Sequence, residues 1–280
     1  MRVSPKLLIF EILAFLAFAI LAAAGFLAWR LSQGPIDLEL IRPQVERSLS
    51  EARGGQPVKV EALVLEWVRG KGRVEAAARG LTALDASGAS VFRAERAVIS
   101  LDAPSLMSGR FKTRQMRLEN GTASVVRSKD GVWSLADLVI AKEPTSDKPF
   151  DPLRDIKWDT LATPIRALIS AGSFERVELA NFNVEVTDHK AGTVWKASPV
   201  NGVWSAGADG VALDLDLRLV GEAEPNRIVI SLASDGAVSK ATGRLTLEGV
   251  DPMALAKVFG YAGNAFASGM PANAAFTVEA

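Results

Sequence analysis

In the stretch VALDLDLRL, residues 211–219, large apolar side chains occupy every second position, with Ala212, Asp214, Asp216 and Arg218 between them. Successive side chains of a β-strand point to opposite faces of its sheet, so this alternation predicts a strand with one apolar face. Residues 97–101 and 228–232 repeat the pattern, and turn signals such as Asp130-Gly131 separate such segments. The region is therefore predicted to form an antiparallel β-meander of repeated hairpins.

A sheet with one apolar face must cover that face with a second sheet, a helix or a ligand. Because few helices are predicted, two architectures remain open. One is a closed β-sandwich, which is favoured on physical grounds alone, and the other is a curled sheet whose apolar groove meets apolar ligands. The candidate groove lining is the alternating apolar set Val184, Val186, Leu213, Leu215, Leu217, Ile228, Ile230, Leu245 and Leu247.

The N-terminal run LLIFEILAFLAFAILAAAGFLAW, residues 7–29, holds a single charge, at Glu11. As a helix it would rise about 34 Å, enough to cross a hydrocarbon core of about 30 Å. A cleaved signal peptide is the alternative, with a small-residue site at residues 22–24. The apolar run continues beyond that site to Trp29, which suits a membrane interface, so a retained anchor is predicted.

The charges around this run set the predicted organisation of the chain. Arg2 and Lys6 precede it and favour a cytoplasmic N-terminus, with the bulk of the chain beyond the inner membrane. The predicted parts are a single-pass anchor with a short cytoplasmic tail at 1–33, an amphipathic helix (Ile36 to Ala52) with its linker at 34–56, and a periplasmic β-domain at 57–280. Within that domain, helices are predicted at about 150–171 and 251–259.

An internal repeat supports the hairpin organisation. The segment LENGTASVVRSKDGVW occupies residues 118–133, and LANFNVEVTDHKAGTVW occupies residues 179–195. Each begins with Leu-x-Asn, passes through a polar turn that contains glycine, and ends in Val-Trp. The two segments are therefore predicted to form equivalent hairpins.

The composition excludes several classes of function. Lys and Arg number 32 and Asp and Glu number 32, so no basic surface is indicated and nucleic-acid binding is not expected. Cysteine is absent, and the only histidine, His189, lies in a turn. No metalloprotease, nucleophile-elbow, P-loop or dinucleotide-binding motif occurs. The sequence therefore predicts a protein that is not an enzyme and that needs no cofactor or metal.

The remaining candidates for chemistry have simpler interpretations. Asp214 and Asp216 share a strand face with Arg218, which predicts a charge-balanced, solvated surface. Three tryptophans at strand starts are predicted to be core residues in preference to ligand contacts: Trp133, Trp195 and Trp204.

Three longer segments carry a resemblance to a known family. They are MRLENGTASVVRSKDGVWSLADL at 116–138, the stretch from FERVELANF to LDLDLRL at 174–219, and LTLEGVDPMALAKVFGY at 245–261. Together with the apolar N-terminal helix and the short helix after it, they resemble AsmA-like envelope proteins (AsmA, TamB and YhdP among them), in particular the N-terminal region of alphaproteobacterial members. Because such members are usually longer, the chain is expected to be part of a longer protein.

The resemblance implies a fold and a function. It implies a mainly β protein: one transmembrane helix followed by a curled β-groove that rises from the inner membrane into the periplasm. It also implies an apolar groove interior that conducts phospholipid toward the outer membrane and so maintains outer-membrane integrity. The expected partners are phospholipid, the inner membrane and other envelope proteins. The alternative is a structural or assembly factor with a closed β-sandwich core that binds outer-membrane proteins.

Overall fold

The computed structural model describes residues 15, 18, 22, 25–26, 29–68, 73–101, 113–135, 138–142, 175–207, 210–220, 226–235, 240–249 and 272–279. Of the N-terminal apolar run, the described residues are helical, and this conformation continues to residue 33. Among the described residues, no helix has both the length and the hydropathy needed to cross a membrane. The helices predicted at 150–171 and 251–259 lie outside the described residues.

The described part of the chain after this helix is mainly β-structure, as predicted. Its elements, in chain order, are β1 (Ile36–Asp37), α1 (Arg42–Ala52), β2 (Val58–Lys59), β3 (Ala62–Val68), β4 (Arg73–Leu84), β5 (Ser90–Leu101), β6 (Thr113–Arg127), β7 (Val132–Leu135), β8 (Leu138–Lys142), β9 (Arg176–Asp188), β10 (Thr193–Gly207), β11 (Gly210–Leu219), β12 (Arg227–Ser234), β13 (Lys240–Glu248) and β14 (Ala272–Glu279).

All described strands belong to one open sheet. Its main path runs β1-β3-β4-β5-β6-β9-β10-β11-β12-β13-β14, with β2 beside β4 and the β7–β8 hairpin beside β6. Within the described ranges, each strand packs against its ladder neighbours and no second sheet lies over it. The closed β-sandwich is therefore wrong for these strands, and one open sheet is the better description.

The prediction of an antiparallel meander is wrong at one junction. Strands β6 and β9 run parallel, whereas every other paired set of described strands is antiparallel. A parallel pair cannot be joined by a tight turn and needs a long crossover. In the sequence, residues 143–175 separate β8 from β9, which is long enough for such a crossover.

The internal repeat explains this parallel pair. The two segments lie side by side with Leu118 opposite Leu179 and Arg127 opposite Asp188. Each is followed by a hairpin, from β6 to β7 and from β9 to β10. The repeat prediction is therefore confirmed, and its two copies pair in the same register in which their sequences align.

A line of irregular residues crosses the sheet near the middle of these strands. Asn120 and Asn181 have φ angles of 51° and 58°, a left-handed conformation that asparagine tolerates better than most residues. The amide of Asn181 donates to Oδ1 of Asn120 at 2.9 Å, and that of Asn120 donates to Oε2 of Glu95 at 3.0 Å. Oδ1 of Asn201 accepts from the backbone of Asn181 at 2.9 Å. We call these four residues the asparagine ladder.

The start of the domain differs from the predicted helix of residues 36–52. Ile36–Asp37 forms β1 and pairs with Val64 and Leu65 of β3. The helix begins only at Arg42, with Pro43 in its first turn. Proline lacks a backbone N–H and fits a helix only in that turn, so the chain before it is free to pair with the sheet. The predicted helix is therefore correct over 42–52 and wrong over 36–41.

Residues 58–64 have apolar side chains at every second position from Val58 to Val64, which predicts one strand with one apolar face, but in the structure they do not form one strand. β2 and β3 both pair with β4 but on either side of Gly80, whose φ is 62°. The break lies between them at Val60 and Glu61. No residue is inserted, because Val58 opposite Ala83 and Ala62 opposite Arg79 keep one register. The buried side chains nevertheless change from every second residue, Val58 and Val60, to Leu63, across from the left-handed Gly80. The prediction of a single one-faced strand is wrong here for that reason.

Candidate functional site: the apolar face of the sheet

The nine predicted lining residues all lie on one face of the sheet. Ladder pairing puts partner side chains on the same face, and the pairs form rows that cross the strands. The rows that contain the nine residues are Leu217–Ile228–Leu247, Leu215–Ile230–Leu245, Leu213–Leu232, Val184–Ala197–Leu219 and Val186–Trp195. We call this surface the apolar face.

The rows continue beyond the predicted residues into the first half of the sheet. Val200 on β10 pairs with Leu217 on one side and with Phe182 on the other. The same row continues from Phe182 through Gly121 to Ala94. Leu179 packs against the core cluster that contains Phe182, although the two residues are three apart in the sequence. Alternation alone would place them on opposite faces, so it does not predict this part of the apolar face. The signal that could have found it is the asparagine between them.

The apolar face is buried at its centre and half-buried around it. Phe182 is 2% exposed, and Ile228 and Leu247 are nearly as well buried. Val186 is also buried. The remaining six residues of the predicted lining are half-buried: Val184, Leu213, Leu215, Leu217, Ile230 and Leu245. Since no second layer of described strands covers them, part of this apolar surface is available for contact.

Phe182 fits the face because of one glycine. Its ring stacks on Phe92 with centroids 5.7 Å apart. A side chain at Gly121, the residue opposite it on β6, would run into the Phe182 ring and the backbone carbonyl of Arg93. The two copies of the repeat therefore differ at this position: the first copy has glycine, which leaves room for the phenylalanine ring of the second copy.

The opposite face of β11 to β13 is polar. Arg227 donates from Nε to Oδ1 and from Nη2 to Oδ2 of Asp216, both at 2.9 Å, and lies 3.4 Å from Oε2 of Glu248. The hydrogen bond from Arg227 is the main cause that holds the pKa of Asp216 below its usual value. The predicted charge-balanced surface is thus confirmed at Asp216.

The same face carries a longer network of alternating charges over β3, β4, β5, β6 and β9. We call it the charge ladder, and its ion pairs are Arg79–Glu66 at 3.9 Å, Arg96–Glu66 at 3.2 Å, Arg96–Glu119 at 3.4 Å, Arg117–Glu119 at 3.1 Å, Arg117–Glu178 at 3.5 Å and Arg176–Glu178 at 2.6 Å. Burial lowers the pKa of Arg96, but Glu66 and Glu119 outweigh burial and raise it. The charge ladder thus lies on the face opposite the apolar rows, and the small buried cluster of Val64, Ala77 and Val98 lies on the same face as the charges.

A buried ion pair ends the apolar face where β6 and β9 end. Arg127 Nη1 lies 2.7 Å from Asp188 Oδ2, and their side chains are 3% and 0% exposed. Oδ1 of Asp188 accepts from the backbone of Lys190 at 2.9 Å and of Ala191 at 2.8 Å. The Arg127 guanidinium lies over the ring of Trp133, 5.2 Å from its centroid. The pair thus joins the turns of the two repeat copies.

The tryptophans of β10 lie on the apolar face. Trp204, opposite Leu213, is buried, which confirms that it is a core residue, but it lies near the end of β10 and not at a strand start. Trp195, opposite Val186, is half-buried. The Nε1 atoms of both tryptophans are buried and have no hydrogen-bond acceptor. Oγ1 of Thr193 is also buried and has no hydrogen-bond partner. His189 lies exposed in the neighbouring turn, as predicted. These unpartnered donors were not foreseen, because a sequence does not reveal which polar atoms lack partners.

Among the described residues, no cluster of three or more His, Asp or Glu side chains could hold a metal ion. No protein-family model, curated protein or solved structure matches this chain.

Proposed function

We propose that this chain is an anchored envelope protein that carries phospholipid acyl chains on the apolar face of its sheet, between the inner and outer membranes. The observation that carries the proposal is the set of unbroken apolar rows on one face of an open sheet, opposite charged residues on the other. The resemblance to AsmA-like proteins supports the same function. No catalysis, cofactor or metal is needed for it.

The dimensions and energetics suit acyl chains. The row from Ala94 to Leu247 crosses seven strands, β5, β6 and β9 to β13. At about 4.8 Å between neighbouring strands, the row is about 29 Å long. Each methylene that leaves water for such a surface contributes about 0.8 kcal/mol. Head groups would stay at the solvated edge of the sheet.

The proposed location in the inner membrane rests on the N-terminal apolar run. Residues 1–33 would form a single-pass anchor in the inner membrane, with the N-terminus in the cytoplasm and the sheet in the periplasm. Large exposed apolar side chains concentrate near this end, with Phe15 and Phe18 in the run and Leu40 just before α1. A reporter that is active only in the periplasm, fused after Ala280, should be active. A silent but stably expressed fusion would reverse this orientation.

The direct test is the lipid content of the purified full-length chain. The chain is purified in detergent, and bound phospholipid is measured by native mass spectrometry; we expect co-purified phospholipid. Ile230→Glu places a carboxylate on the apolar face and should reduce the bound lipid severalfold, because a buried unpaired charge is costly. Ser231→Glu is the matched control, since Ser231 is the next residue, lies on the polar face and pairs with Arg244.

Two outcomes would contradict the proposal. One is lipid-free protein whose sheet is intact by circular dichroism. The other is equal loss of lipid from Ile230→Glu and Ser231→Glu. The alternative function, an assembly factor for outer-membrane proteins, predicts captured protein and no lipid in the same preparation.

A further inference from the structure

Two unpartnered hydrogen-bonding groups lie next to each other on the apolar face. Thr193 and Trp195 are two residues apart on β10 and point to the same face, about 7 Å apart along the strand. Thr193 Oγ1 and Trp195 Nε1 are both buried and have no hydrogen-bond partner. Burying a polar group without a partner costs free energy, so such groups are rare unless something else completes them.

Their position is at one end of the apolar face. Thr193 lies opposite Asp188, and Trp195 lies opposite Val186. Beyond Val186, the face continues through Val184 to Phe182, all apolar. An elongated ligand on this face would therefore have hydrocarbon along β9 and a polar group beside Thr193 and Trp195.

The charge at this end indicates which polar group fits. Arg127 and Asp188 form a buried ion pair with each other, so they add no net charge beside the two donors. A phosphate buried there would bring an uncompensated charge, which is far more costly than a neutral acceptor. The hydroxyl and the indole N–H suit an uncharged carbonyl oxygen.

We propose that Thr193 and Trp195 form a subsite for the ester carbonyls of a diacyl glycerolipid, with the acyl chains directed over Val186 toward Phe182. The inference rests on the proposed function and adds to it the part of the lipid that is recognised and the direction in which it lies. The indole N–H and the hydroxyl donate to carbonyl oxygens, and the phosphate remains outside the buried site.

The test compares an ester lipid with its ether analogue, which lacks both carbonyls. The full-length chain is exchanged against vesicles that contain equal amounts of dioleoyl phosphatidylcholine and the corresponding diether lipid. Bound lipid is then quantified by mass spectrometry. We expect the ester lipid to be bound about fivefold or more in preference to the ether lipid, because one net hydrogen bond changes a binding constant by about that factor. Inorganic phosphate should not displace it.

Single substitutions test whether Thr193 and Trp195 cause the preference for the ester lipid. Thr193→Val keeps the shape of the side chain and removes the hydroxyl, and Trp195→Phe keeps an aromatic ring and removes the N–H; each should reduce the ester preference. Thr193→Ser should retain it. Trp67→Phe is the matched control, since Trp67 is on β3 and far along the ladder from β10.

The outcomes separate the subsite from the proposed function. Equal binding of ester and ether lipids by the unmodified chain would overturn the subsite, with the two donors satisfied by water, and leave the proposed function standing. Binding of neither lipid would overturn both. Displacement by inorganic phosphate would assign the site to phosphate and overturn the carbonyl assignment.

Discussion

The sheet has two regions that differ in the regularity of their strands. From β11 to β13, residues pair one to one without a register shift, and faces alternate as the period of two requires. From β4 to β10, left-handed residues and register shifts interrupt the strands, at Gly80, Asn120 and Asn181 and again after Ala197. The apolar rows nevertheless continue through both regions. Continuity of an apolar face therefore does not require continuity of the sequence alternation.

The two regions also differ in how their ion pairs contribute to stability. In the regular region, the charges lie on the polar face and are partly solvated, as with Asp216 and Arg227. In the irregular region, the ion pair of Arg127 and Asp188 is fully buried on the apolar face. Partly exposed ion pairs contribute little, whereas breaking a buried pair leaves an unpaired charge in the interior. The irregular region should therefore be the more sensitive to single substitutions.

The largest expected effect is at the buried pair. Asp188→Ala leaves Arg127 buried without its carboxylate and should reduce the free energy of unfolding by about 3–5 kcal/mol. It also removes the acceptor for the turn N–H groups of Lys190 and Ala191. Urea denaturation followed by circular dichroism measures the loss. Asp216→Ala is the control in the regular region and should cost about 1 kcal/mol or less.

A double variant tests the cause. Arg127→Met with Asp188→Leu removes both charges, and should be more stable than Asp188→Ala alone because no unpaired charge remains. Equal stability of the single and double variants would show that the lost turn contacts, and not the buried charge, are responsible.

The next effect concerns the glycine opposite Phe182. Gly121→Ala adds a methyl group where the Phe182 ring and the Arg93 carbonyl already lie, and overpacking of this kind costs about 1–3 kcal/mol. Gly207→Ala is the matched control in β10, since a methyl group there meets nothing within 4 Å. Thermal unfolding of both variants checks the difference. If the two shifts are equal, Phe182 does not fix the packing of β6 against β9.

Much of the regular region could be predicted from the sequence, because large apolar side chains recur at every second position of β11 and β12. The face of Leu213 to Leu217 and its partners Ile228 and Ile230 follows from the period of two alone. The irregular region could not be predicted in this way, because one left-handed residue shifts the face of every residue after it. The repeat was visible, but the sequence did not indicate that its copies pair in parallel. That pairing depends on residues far apart in the chain.

A smaller effect should follow from the left-handed asparagines. Asn181→Ala places an alanine at φ 58° and should cost about 1–2 kcal/mol, because a side chain without a local hydrogen bond disfavours this conformation. Asn181→Gly removes the same amide but tolerates the conformation, so it should cost less. Equal losses in urea denaturation would assign the effect to the asparagine ladder bonds and not to the backbone conformation.

The smallest effect is a pH dependence in the regular region. The hydrogen bond from Arg227 lowers the pKa of Asp216 in the folded chain, so the carboxylate binds its proton less readily there than in the unfolded chain. Its stabilising contribution is therefore present above the unfolded pKa of about 3.9 and is lost as pH falls through the lower folded value. Many carboxylates titrate in that window, so the measurement is the difference in urea midpoint between the unmodified chain and Asp216→Asn from pH 6 to about pH 3. The two curves should converge on acidification, and a constant separation would mean that Asp216 stabilises the sheet through its shape and not through its charge.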